Sequence, residues 1–178
     1  MKNQTCCFTG HRNIPTDEYE KVKVTLKQTI IGLIEKGYRY FGTGGALGFD
    51  TLAAQTVIEL KNTYPHIKLI LVLPCLNQTR GWIQKDIEIY ENIKQKADKI
   101  VFTSNEYTPD CMHKRNRHLI DHSSVCVCYL TKPTGGTAYT VNYANQKNVK
   151  LIYISTVDCF ANKNPINHSK KFNQSIMK

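Results

Sequence analysis

Two glycine-rich turns and a cluster of basic and amide side chains are the parts of this 178-residue sequence best suited to chemistry. The first turn, Gly42-Thr43-Gly44-Gly45-Ala46-Leu47-Gly48, has four glycines in seven residues and is followed by Asp50. Glycines let a backbone approach a phosphate closely, and free amides at a helix start offer donors and positive dipole. The second, Pro133-Thr134-Gly135-Gly136-Thr137, has the same character and adds a hydroxyl. Thr9-Gly10-His11-Arg12 supplies a third turn, in which His11 and Arg12 are potential donors. A guanidinium grips a phosphate bidentately. Arg115 and Asn116 stand in Cys111-Met-His-Lys-Arg-Asn-Arg-His, and Gln78 and Trp82, the one tryptophan, follow Pro74. Gln78 is suited to a sugar or base edge and Trp82 to stacking on a base. Asp50 is equally suited to capping its helix and to holding a ribose hydroxyl. Asp50 and Arg115 are the candidates should the chain be catalytic.

These residues need elements to position them. Short apolar runs alternate with amphipathic segments. Strands are expected at 4–8, 38–41, 67–73, 99–102, 125–130 and 151–154. Helices are expected at 16–36, 49–64, 82–97, 109–122 and 137–148, the first capped by Thr16 or Asp17. The run Ile67-Lys-Leu-Ile-Leu-Val-Leu73 reads as a strand buried on both faces. Repeated βα units predict a Rossmann-like three-layer α/β sandwich, a mostly parallel sheet of about six strands with helices on both faces. Right-handed crossovers then gather every strand-to-helix turn at the carboxyl edge, where such folds bind ligands. One domain over residues 1–155 is expected, followed by a polar, basic tail over 156–178.

Composition narrows the function classes. Hydrophobic residues make up 41% and charged residues 21%, enough for a core and against wholesale disorder. No apolar run is long enough for a membrane helix and no secretory leader is visible, so a cytoplasmic location without membrane contact is expected. Seven cysteines have no paired metal spacing, and no metal is expected. Cys126 and Cys128 on one strand share a face and read as small core residues. A net charge of +10 suits phosphate ligands, although no tract of five consecutive basic residues marks a nucleic-acid site.

Thr-Gly-His-Arg12, Gly-Gly-Ala-Leu-Gly-Phe-Asp50, Pro74-x-x-x-Gln78-x-x-x-Trp82, Met112-x-x-Arg-Asn-x-x-Leu-Ile-Asp121 and Gly-Gly-Thr-Ala138 occur in that order. Together, from about Thr5 to Ile154, they resemble the YpsA-type branch of the SLOG superfamily, related to SMF/DprA DNA-processing proteins and LOG phosphoribohydrolases. The resemblance implies a Rossmann-like fold that binds nucleotides or nucleic acid. The phosphoribohydrolases cleave an N-glycosidic bond with the Arg of an M-x-x-R-K helix and the Glu of a P-G-G-x-G-T-x-x-E turn. Here Arg115 matches, Asn116 replaces the Lys, and the place of the Glu falls at Thr140, which cannot act as a carboxyl acid or base. The leading expectation is therefore binding or sensing of a nucleoside phosphate, NAD or ADP-ribose type of ligand, with no cofactor required. Hydrolysis of a nucleotide and DprA-like binding of single-stranded nucleic acid are the alternatives. Exposed apolar helix faces are compatible with a homo-oligomer.

Overall fold

In a computed structural model, residues 1–154 are described; the tail expected over 156–178 lies outside them. After a short 3-10 turn (Lys2–Gln4) the chain runs β1 (Thr5–Gly10), α1 (Thr16–Glu35), β2 (Tyr40–Thr43), α2 (Phe49–Leu60), β3 (Lys68–Leu73) and α3 (Gln84–Lys96). It continues through β4 (Lys99–Phe102), α4 (Cys111–Asp121), β5 (Val125–Tyr129), α5 (Gly135–Gln146) and β6 (Lys150–Tyr153). The six strands form one sheet in the order β4-β3-β2-β1-β5-β6, and every pairing is parallel. This is the α/β Rossmann-like sandwich that the alternation predicts.

The two faces carry separate cores. Val22, Leu26 and Ile30 of α1, Phe49 and Val57 of α2 and Tyr90 and Ile93 of α3 pack on one face. Leu119 and Ile120 of α4 and Val141 and Ala144 of α5 pack on the other, against Cys7, Cys126 and Cys128. Cys126 and Cys128 thus share a buried face, as a strand repeat of two requires. No helix of the described residues is long and apolar enough to cross a membrane.

Several boundaries differ from the expectation, each for a local reason. β1 extends past Phe8 because Thr9 and Gly10 continue the ladder opposite Cys128 and Tyr129. α1 is capped by Pro15 without a side-chain bond, so Thr16 is its first residue and not its cap. Proline suits a helix start because its missing N–H would have had no partner there. α3 begins at Gln84, two residues after Trp82, because Gly81 is left-handed (φ +82°) and Ile83 is extended. α5 begins at Gly135, earlier than Thr137, so Gly136 and Thr137 lie in a helical first turn.

The chain steps outward from β1 to β4 and then returns through α4 to β5 on the other side of β1. The strand order therefore reverses beside β1, and a crevice opens at the carboxyl ends of the strands where it does.

Candidate functional site

A cleft of about 360 Å³ occupies that crevice. Phe8, Thr9 and Gly10 at the end of β1, with His11 and Arg12 beyond it, form one wall. Ala46 and Asp50 enter from the β2–α2 turn, and Gly136 and Thr137 from the first turn of α5. Arg115 and Asn116 enter from α4 together with Met112, His113 and Leu119, which sequence reasoning does not nominate. Arg12 and Arg115 thus both line the cleft, which also holds the Asp50 carboxylate, and the positive end of α5 points to the same space.

The floor is an ion pair. Arg115 Nη1 donates to Asp50 Oδ2 at 3.2 Å, and both side chains are buried, with 8% and 7% of their surface exposed. Burial raises the Asp50 pKa, opposed by the Arg115 charge and by the amides of Ala46 and Gly44. Burial likewise lowers the Arg115 pKa, opposed by Asp50. The geometry thus sets the attraction of the pair against a real desolvation cost. Arg115 is not fully used. Its Nη2 lies 3.9 Å from Met112 Sδ, and its buried Nε has no hydrogen-bond partner among the described residues.

The first glycine turn serves this pair directly. A Cβ on Gly44 would fall inside the Arg115 guanidinium and 2.8 Å from Asp50 Oδ2, so only glycine leaves room for the pair. Gly48 has φ +79°, and a Cβ there would collide with the backbone of Arg12. The absence of a side chain lets the Thr9–Arg12 turn dock on the α2 start, where the Phe49 amide donates to the His11 carbonyl at 3.3 Å. Thr43 is fully buried and donates to the Asp50 carbonyl at 3.3 Å. Gln78 is buried and its Nε2 donates to the carbonyls of Gly44 (3.3 Å) and Gly45 (2.9 Å). The turn expected to cradle phosphate with the amides of Gly44 and Gly45 is thus covered by Arg115 and pinned by Gln78. Thr43, Gly44, Gly45, Gly48 and Gln78 support the cleft without lining it.

Three further nominated residues are placed differently from the expectation. His11 is an acceptor: the Lys132 amide donates to its Nε2 at 3.2 Å, tying the first and last turns together. Burial, with the Lys132 charge nearby, lowers the His11 pKa, and the accepted bond requires a neutral ring. Trp82 does not line the cleft; its ring packs edge-on against Tyr90 at 5.5 Å. Gly135 adopts φ +87° to start α5 and leaves the lining to Gly136 and Thr137. Thr140 lies one turn into α5, is buried, and donates to the Gly136 carbonyl at 2.7 Å. Arg12 is exposed, lines the cleft and makes no ion pair among the described residues.

The family model described as the YspA SLOG family matches residues 6–160. The SPbeta prophage-derived protein YoqJ of Bacillus subtilis is 34% identical over 71% of this chain and 81% of its own length. A UPF0398 protein of Halalkalibacterium halodurans is 29% identical over 83% of each chain. Two DNA processing protein A structures share the fold. The Helicobacter pylori protein, described as having a unique single-stranded DNA binding mode, has a TM-score of 0.60 at 17% identity. The Streptococcus pneumoniae protein has 0.63 at 16%. The matches cover 84% and 85% of this chain but only 64% and 50% of those proteins. With the family match spanning both glycine turns and the Arg115 helix, the chain belongs to the YpsA family of the SLOG superfamily.

Proposed function

We propose that the cleft binds a nucleotide or nucleotide-derived phosphate ligand. The free guanidinium of Arg12, exposed at the cleft beside the Arg115–Asp50 pair and the start of α5, carries this reading. A guanidinium at a cleft without a carboxylate partner is suited to a bidentate grip on phosphate oxygens. The phosphate would lie between Arg115, the free guanidinium of Arg12 and the Gly136–Thr137 turn at the start of α5, whose dipole favours an anion. Asn116 and Asp50 would meet sugar hydroxyls. A volume of about 360 Å³ accommodates a small ligand of this kind. Binding fits better than the phosphoribohydrolase reaction, because the residue in the place of the acid is Thr140 and its hydroxyl is committed to the Gly136 carbonyl.

The test is a thermal-shift series with AMP, ADP, NAD and ADP-ribose on the wild type and on Arg12→Ala, an exposed substitution that leaves the core intact. A ligand at about 100 times its dissociation constant adds about 2.7 kcal/mol of stability. The expected result is a shift for at least one compound that falls in the variant. No shift with any of them would sink the reading.

A second reading, single-stranded nucleic acid, is favoured by the net charge of +10 and by the single-stranded DNA binding mode described for the Helicobacter pylori protein that shares the fold. It predicts affinity for an oligothymidylate that falls steeply with salt. Affinity insensitive to salt would exclude it.

A further inference from the structure

We propose that His113 is the platform on which the base of the ligand stacks, so that the cleft selects nucleotides over sugar phosphates. The inference rests on the nucleotide reading of the cleft. The His113 ring lies 4.2 Å from that of Tyr139 at an interplanar angle of 14°, a stacked pair. Tyr139 covers one ring face. The side chain nonetheless keeps 46% of its surface open, and it borders the cleft.

The ring is held before any ligand arrives. Asp110 Oδ1 lies 3.6 Å from His113 Nδ1, and Asp110 Oδ2 accepts from Arg117 Nη2 at 2.7 Å. Arg117 Nη1 donates to the Tyr139 hydroxyl at 2.9 Å. Asp110, His113, Tyr139 and Arg117 thus form a closed cycle between α4 and α5. Each side chain restrains the next, so little rotamer freedom remains to be lost on binding. An aromatic face fixed beside two guanidinium groups and a helix N-terminus suits a planar base joined to a phosphate. Trp82, the aromatic that the sequence nominates for this task, is instead packed against Tyr90.

Isothermal titration of AMP and of ribose 5-phosphate into the wild type, His113→Ala and His113→Phe tests the platform. The wild type is expected to bind AMP more tightly than ribose 5-phosphate. His113→Ala should weaken AMP about tenfold and leave ribose 5-phosphate unchanged, and His113→Phe should restore AMP. Equal losses for both compounds, no loss for AMP, or no rescue by Phe would overturn the platform. If the wild type binds ribose 5-phosphate as well as AMP, the platform fails while the phosphate site stands. If it binds neither, the platform fails, and the nucleotide reading fails with it only if ADP, NAD and ADP-ribose also give no thermal shift.

Discussion

Two aspartates at opposite edges of the sheet show how similar ion-pair chemistry serves different ends. Asp98 precedes β4 at the amino edge. It accepts from Lys61 Nζ at 2.7 Å, Lys68 Nζ at 3.2 Å and the Leu69 amide at 2.8 Å. Burial raises its pKa, but these three partners outweigh burial and the net shift is downward. Asp50, at the carboxyl edge, is more deeply buried and faces one guanidinium, and its net shift is upward. The two acids therefore bend the pH profile of stability in opposite directions. At the amino edge the partners are sufficient, and the cluster clips α2, β3 and β4 together. At the carboxyl edge a buried donor is left over. That leftover donor is the difference between the two joints.

The largest effect is expected from Arg115→Met. It strands the Asp50 carboxylate in the interior and should cost about 3–5 kcal/mol in urea unfolding. Adding Asp50→Asn should recover much of that loss, because the stranded charge is removed. An additive double mutant would show that the pair is not coupled. Gly44→Ala comes next. Its methyl group competes for the guanidinium position and should cost about 1–3 kcal/mol while weakening any ligand shift. A variant as stable as the wild type would show that Arg115 can leave its place freely. Asp98→Asn is expected to cost least, about 1–2 kcal/mol near neutral pH, since its partners are partly exposed. The folded pKa of Asp98 lies below its unfolded value of about 4. Its contribution is therefore full above that pH and is lost as pH falls through the folded pKa. The wild-type advantage over Asp98→Asn should disappear in acid, and an advantage constant from pH 7 to pH 2 would contradict this assignment.

The sheet is legible in the sequence because alternation of apolar runs with amphipathic helices depends on local spacing alone. The gathering of Arg12, Asp50, Arg115, Asn116, Gly136 and Thr137 is legible too, because parallel strands bring every strand-to-helix turn to one edge. What each glycine does is not. Gly44 reads as a phosphate contact until Arg115, distant in the chain, is seen lying over it. Gln78 reads as a recognition residue until its amide is found on the carbonyls of Gly44 and Gly45. His113 does not stand out in the sequence because its stacking partner, Tyr139, belongs to another helix. Only the presence of Asp110 and Arg117 at i−3 and i+4 hints that its ring is braced.

The pairing of Asp50 with Arg115 also has a consequence for biosynthesis. Asp50 leaves the ribosome well before its counter-charge, since β3, α3 and β4 are made between them. Until α4 folds back across the sheet, the β1–α3 half carries an aspartate destined for the interior with no counter-charge. Keeping it hydrated opposes closure of that half on its own. The Gly136–Thr137 wall of the cleft arrives later still. A nascent chain therefore offers no finished pocket, and a ligand of this cleft would bind only after the second half has docked, adding its stabilisation to the completed fold.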